Sequence, residues 1–241
     1  MTREEFSSGF DTLVHSYMRF RDFDKREPQD TIEFDEYEKS LFLTKAQEEL
    51  VVSLYNGKNP YGDSFESTEE IRRYLDDLVK TKVYEEDEQL DIETEGLIKL
   101  SPKSVFYKLP SDIAFITMEQ VTYDDETLGC YNGNTASVYP VTQDEYSRVK
   151  NNPFRGPTKY KAIRLDYGNN TVELISKFNI GEYLLKYLAK PSPIVLEDLP
   201  DGLEIEGVFK ESDCKLNSIL HRVILERAVI MALQSRGLQI K

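Results

Sequence analysis

The feature that most constrains this chain is a change of hydrophobic period between Tyr84 and Gly96. Up to Tyr84, apolar residues recur at the three- and four-residue intervals of one helix face. From Gly96 onward they fall in short β-branched and aromatic runs broken by proline and glycine, the pattern of strands. One further helical pattern closes the chain at Asn217–Arg236. Helices, then strands, then one helix make an α+β fold.

Within the helical part, Thr2 and Glu5 fit a capping box that opens a helix to Met18. Phe6, Phe10, Leu13, Val14 and Tyr17 lie on one face of it. The charged stretch Arg19–Thr31, with Pro28, reads as a linker, so 1–34 forms an N-terminal helix and linker. Docking on the chain's own domain is the ordinary fate of such a helix. Docking on a neighbouring subunit is the alternative, which makes Phe6, Phe10 and Leu13 candidate inter-subunit contacts. Asp35–Leu43 reads as a helical turn leading to a second capping box at Thr44 and Gln47, with Leu50, Val51, Leu54 and Tyr55 buried and Asn56-Gly57 as the stop. Asn59–Gly62 is a turn. Ser67 and Glu70 start a third helix carrying Ile71, Leu75, Leu78 and Val79. Residues 35–84 are expected to pack with the final helix, 217–237, which Asn217 caps and Gly237 stops.

Residues 96–212 are expected to form a β-rich module, an antiparallel sandwich or barrel-like arrangement containing a short helix. Val105–Leu109 and Ala114–Tyr123 read as strands, and Asn132-Gly133 is a hairpin signal before the strand Ala136–Val141. Thr142 and Glu145 cap the short helix, which stops before Pro153. Tyr160–Asp166 and Thr171–Ser176 form a second hairpin. Glu182–Ala189 fits strand or helix, and the hairpin before it favours a strand. Leu196–Ser212 reads mostly as loop.

Chemistry is hard to find. With two histidines, His15 and His221, two-histidine motifs of the HExxH kind have little to draw on, and each reads as a structural residue. Cys130 and Cys214 lie apart without a CxxC partner and read as isolated thiols. No G-x-S-x-G or G-x-G-x-x-G is present, and Gly57-Lys58 follows a helix and lacks a P-loop's upstream glycine. Close carboxylate pairs say little among 44 acids. The acidic run 85–91 has no calcium-loop spacing and reads as a solvated loop. No catalytic residue, metal or cofactor is expected. The acidic N-terminus carries no secretory h-region, and no apolar run approaches the ~18 residues of a membrane span, so a cytoplasmic setting is expected.

The net charge of -14 argues against a broad phosphate-tracking surface, although a channel that lets DNA slide gains from repelling it. One interval, 148–161, is locally basic and aromatic. Its Arg148, Lys150, Arg155, Lys159 and Lys161 could meet DNA phosphates or an acidic partner, or simply balance nearby acids. Gly129–Asn134, with Tyr131 and Asn132, is the most exposed loop expected and a candidate neighbour contact.

The ordered series LPSDIAFI (109–116), YPVTQDEYSRVKNNPFRGP (139–157), YKAIRLD (160–166), YLLKYLAKPSPIVLEDLP (183–200) and LHRVILERAVIMAL (220–233) resembles the ring proteins of crAss-like bacteriophage virions. The segment DEYEKSLFLTKAQEELVVSLYNG (35–57) is similar to the same family's helical entry. More distantly, the motif order is similar to tail tubular protein A of other short-tailed phages. The resemblance covers most of 35–237. It implies a structural virion protein of the tail or head–tail connector, assembled in the host cytoplasm. Such a protein would form a homo-oligomeric ring, with twelve copies expected, below the portal protein and against other ring and tail proteins. It would enclose double-stranded DNA without reading its sequence. A monomeric acidic adaptor binding a protein through its N-terminal helix is the alternative, and a carboxylate–metal hydrolase a more remote one.

Overall fold

The computed structural model describes residues 1–22, 32–58, 62–91, 96–200 and 202–238. Most of the expected linker and of the Asn59–Gly62 turn lies outside them. The chain divides into two compact units: Met1–Leu78 with Lys190–Lys241, and Val79–Ala189.

The helical unit contains α1 (Arg3–Asp22), α2 (Glu36–Asn56) and the short α3 (Glu69–Tyr74). The Thr2 capping box forms as its residues dictate: Glu5 N–H donates to Thr2 Oγ1 at 3.2 Å, and Thr2 N–H donates to Glu5 Oε2 at 2.9 Å. The apolar stripe behind it buries Phe6, Phe10 and Val14. Phe6 packs on the His221 ring at 5.4 Å, and Phe10 meets Phe34 edge-on at 5.6 Å. His221 belongs to the last helix, Ser218–Ser235. Its burial pushes the imidazole below its ordinary pKa, and one ring nitrogen lies 2.8 Å from the Leu216 carbonyl. The helix opens on Asn217, whose Oδ1 accepts from Ile219 N–H at 3.1 Å, and ends at Gly237 with φ 78°.

Thr44 and Gln47 do not start a helix. α2 is continuous from its cap at Asp35, and both side chains lie buried in its interior with Ser40. All three face the extended segment 192–196 and pair with its backbone as a neighbouring strand would. Ile194 N–H donates to Thr44 Oγ1 at 3.0 Å, Gln47 Nε2 donates to the Ser192 carbonyl at 2.8 Å, and Leu196 N–H donates to Ser40 Oγ at 3.0 Å. On its other side Val195 exchanges two backbone hydrogen bonds with Ser212, each 3.0 Å, so the buried amides of the segment are satisfied from both sides. Lys39, one turn earlier, is also buried and contacts Asp11 Oδ2 at 2.7 Å and Glu36 Oε1 at 2.8 Å, tying α1 to α2. Burial works against its charge, but the two carboxylates outweigh that and hold the ammonium above the ordinary lysine value.

The third helix is shorter than its pattern suggests. It gives way to a 3₁₀ turn at Asp76–Leu78, and Val79 opens a strand instead of extending the helix face. The β-branched residues Val79, Thr81 and Val83 suit an extended ribbon, and a partner strand is present to pair with it.

That strand, β1 (Val79–Tyr84), belongs to the second unit with β2 (Val105–Lys108), β3 (Ile113–Tyr123), β4 (Thr135–Pro140), β5 (Lys161–Gly168), β6 (Thr171–Ile175) and β7 (Ile180–Ala189). They form one seven-stranded sheet in the order β1-β7-β3-β4-β5-β6-β2. Neighbours are antiparallel except β4 and β5, which pair in parallel from Ser137↔Lys161 to Pro140↔Arg164. The antiparallel expectation fails at this pair. The connection over 141–160 carries α4 (Gln143–Val149) across the outer face, as a parallel pair requires. There Val149 and Tyr146 pack with Ile163, Leu165 and Ile175.

The sheet curls into a half-barrel. β1 and β2 end opposite edges of the strand order, yet Tyr84 and Tyr107 pack with ring centroids 5.2 Å apart, and Tyr84 Oη donates to the Lys108 carbonyl at 2.8 Å. Burial pushes the Tyr107 phenol up to about 12. The concave face also buries Val121, Tyr123, Leu174, Tyr183 and Leu185. A polar triad sits within the unit: the carboxylate of Glu119 accepts from Arg164 and from the Tyr183 hydroxyl. Burial, then the Glu119 charge, drives the Tyr183 phenol far above its ordinary pKa. The second hairpin forms where Tyr167–Asn170 marks it, with Asn169 and Asn170 both at positive φ, 49° and 58°.

Candidate interaction surface

The basic interval resolves into a surface because three turns fix its side chains. The first turn is anchored by Asp125. Its carboxylate accepts from the Lys103 ammonium, from Thr127 N–H at 3.0 Å and from Asn179 N–H at 2.9 Å. The lysine, the Thr127 hydroxyl and that amide hold it well below the usual carboxylate range. Asp125 N–H in turn donates to Asn132 Oδ1 at 2.7 Å. Asn132 and Gly133 then form a type II-like corner, with φ −62° at Asn132 and +81° at Gly133, and Asn134 N–H donates to the Tyr131 carbonyl at 3.1 Å. This corner holds Tyr131 at the surface, 40% exposed.

The second turn follows α4. Asn152 Oδ1 accepts from Phe154 N–H at 2.9 Å and from Arg155 N–H at 3.1 Å, while its carbonyl accepts from Gly156 N–H at 2.7 Å. A Cβ on Gly156 would meet that carbonyl oxygen at 2.6 Å, so the turn closes this tightly only around glycine. It fixes Phe154 with 90% of its surface in water. The third turn, at Thr158, exchanges backbone hydrogen bonds with Lys161, and Tyr123 Oη donates to its carbonyl at 3.1 Å.

On this frame, cations lie over exposed aromatic faces. Lys159 Nζ lies 3.7 Å from the Tyr131 ring centroid and 5.0 Å from that of Tyr160, and Lys161 Nζ lies 4.3 Å from that of Tyr139. The Tyr160 and Tyr131 phenols raise the Lys159 ammonium above its ordinary value. The structure therefore unites Tyr131, Asn132, Lys159 and Lys161 with Tyr139 and Tyr160. Arg155 lies exposed beside Phe154 on the second turn. Arg148 is exposed on α4, and Lys150 lines a different concavity with Lys103 and Lys177. Among the described residues, none of Arg148, Lys150, Arg155, Lys159 and Lys161 has an ion-pair partner.

The N-terminal candidates fare differently. Phe6 and Phe10 are core residues of the helical unit and Leu13 is half-buried, so that stripe is not a free surface. Its period marks an apolar face but is silent on what covers it. Phe154 was hidden from sequence reasoning because a lone phenylalanine usually signals core. The signal that could have found it is its place inside Asn-Asn-Pro-Phe-Arg-Gly-Pro, a run of turn formers. Among the described residues, no group of three or more His, Cys, Asp or Glu is arranged to hold a metal ion, and no helix is long and apolar enough to cross a membrane.

Beyond the fold and this surface, the whole chain, residues 1–241, matches the family model for phage tail ring protein 3/4. The chain belongs to that family. It is 49% identical over 237 residues to Ring protein 3 of Bacteroides phage crAss001, covering 98% of this chain and 96% of that protein. It is 31% identical over 248 residues to Ring protein 4/5 of the same phage, covering 96% and 92%. A chain of this family is a structural ring protein of a crAss-like phage virion. Its surface is accordingly best understood in terms of assembly.

Proposed function

We propose that copies of this chain close head to tail into a ring in the phage tail, below the portal and around the DNA channel. Twelve copies match a portal's symmetry. A ring of identical chains needs two different, complementary patches on each copy, because a heterologous contact must repeat until it closes. The observation that carries this reading is the surface set of lysines over aromatic rings at Tyr131, Tyr139, Lys159, Tyr160 and Lys161, whose cations have no ion-pair partner among the described residues. Exposed aromatic side chains are what protein interfaces concentrate, with charged groups at their rim. The acid excess, 44 carboxylates against 30 cations, suits a lumen along which DNA slides without sticking. Greater identity to Ring protein 3 than to Ring protein 4/5 favours the counterpart of the former. The adaptor reading has less support, since Phe6 and Phe10 of the N-terminal helix are already buried.

The test is electron microscopy of the purified full-length chain, alone and with neighbouring virion proteins. Closed rings of uniform copy number are expected. A chain that stays monomeric in both settings would count against the reading.

A further inference from the structure

A heterologous ring needs a receiving patch as well as a donating one, and the β unit carries a candidate for it. The ends of β1 and β3 and the start of β7 surround an open concavity of about 570 Å³. Its rim is acidic: Glu85, Glu86, Asp124 and Glu182 are all exposed, and among the described residues none has an ion-pair partner. Tyr123, whose side chain is buried, and Gly133 and Gly181 also line it. A Cβ on Gly133 would meet nothing within 4 Å, so open space lies beside the exposed turn, whereas one on Gly181 would meet the Asp124 Cβ at 3.1 Å.

We propose that this groove receives the Phe154–Lys161 arm of the adjacent copy, so that the ring closes arm into groove. The inference rests on the ring reading and adds to it the identity of both faces. Complementarity of charge is the first argument. Among the described residues, Arg155, Lys159 and Lys161 are cations without an ion-pair partner in an acidic chain, and the groove gathers carboxylates without an ion-pair partner on the same chain. Such matched potentials steer encounter and fix register. Preorganisation is the second. Asn152 and Gly156 fix the backbone at Phe154 before any partner arrives, so little backbone entropy remains to be lost on docking. Removing a phenylalanine side chain from water is favourable, as for other aromatic interface anchors. The acidic rim meets the flanking cations while Phe154 packs against the neighbouring copy.

Charge reversal tests this on the intact chain, read by sedimentation velocity and electron microscopy, with circular dichroism to verify folding. One variant carries Arg155→Glu, Lys159→Glu and Lys161→Glu; a second carries Glu86→Lys and Glu182→Lys. These side chains are at the surface, so both variants are expected to fold. Each alone places like charges across the contact and is expected to self-associate at least about tenfold more weakly than wild type. Mixing the two pairs every reversed arm with a reversed groove and every native arm with a native groove, and is expected to restore rings. Phe154→Ser is expected to weaken rings without changing the fold. Wild-type rings that survive either reversal, or a mixture that fails to restore them, would overturn the arm-and-groove contact and leave the ring reading standing. Salt-dependent binding of double-stranded DNA that the arm reversals abolish while rings persist would also overturn it, assigning the arm to DNA. A wild type that forms no rings in any setting overturns the ring reading itself.

Discussion

At the scale of single residues, the molecule relies on a few buried side chains whose loss should be felt sharply. Phe10 is fully buried against Phe34, so Phe10→Ala should cost about 3–5 kcal/mol in urea unfolding of the helical unit. Arg164→Met leaves the Glu119 carboxylate buried without its cation and should cost roughly 3–5 kcal/mol, whereas Arg164→Met with Glu119→Leu should recover most of that. Asp125 sets an acid limit. Its folded pKa is depressed, so its stabilisation is complete above the ordinary aspartate value near ~4 and is lost as pH falls through the folded value. Asp125→Asn should therefore lower the melting temperature at neutral pH and flatten its fall below about pH 4, measured as melting temperature against pH. Some of this scale was legible in advance: Thr2, Glu5, Asn217 and Gly237 act as their local chemistry requires, because a cap closes within a few residues. Asp125 was not, since its partners Lys103 and Asn179 come from distant turns.

Among the elements, success and failure follow the same division. The hairpin at Asn169-Asn170 and the strand at 180–189 could be read directly, since turn residues and period are local signals. Ser40, Thr44 and Gln47 could not. A hydroxyl and an amide three residues apart satisfy a capping box equally well on paper, and the backbone they hold in fact lies about 150 positions away. Replacing Thr44 by Val should strand the Ile194 amide and cost about 1–3 kcal/mol, measured by chemical denaturation. The parallel β4–β5 pair was missed because α4 is too short a pattern to announce a crossover. Next to it, Gly156→Ala forces a Cβ onto the Asn152 carbonyl and should shift the Phe154 turn. Self-association in sedimentation velocity should weaken severalfold while the β unit still unfolds cooperatively, at a cost of roughly 1–3 kcal/mol.

For the whole molecule, the family was legible from an ordered series of small motifs, and the α+β architecture from the change of period. The surface was not, because which aromatic rings face water is decided by long-range packing that no local pattern encodes. Phe6 and Phe154 have the same side chain, one 1% and the other 90% exposed. Removing residues 1–20 should therefore destabilise the helical unit by uncovering the face of its last helix, an effect on folding as well as on assembly. A destabilised but still cooperative transition in calorimetry, with the β unit intact, is the expected record. Closure of a ring requires two unlike patches on each chain that repeat around it. Electron microscopy with symmetry analysis of the assembled full-length chain tests it most directly. Closed rings, with the Phe154 turn of every copy seated against the Glu86 and Glu182 rim of its neighbour, are the predicted result. Symmetric dimers joined through one shared patch, or open filaments in place of closed rings, would contradict it.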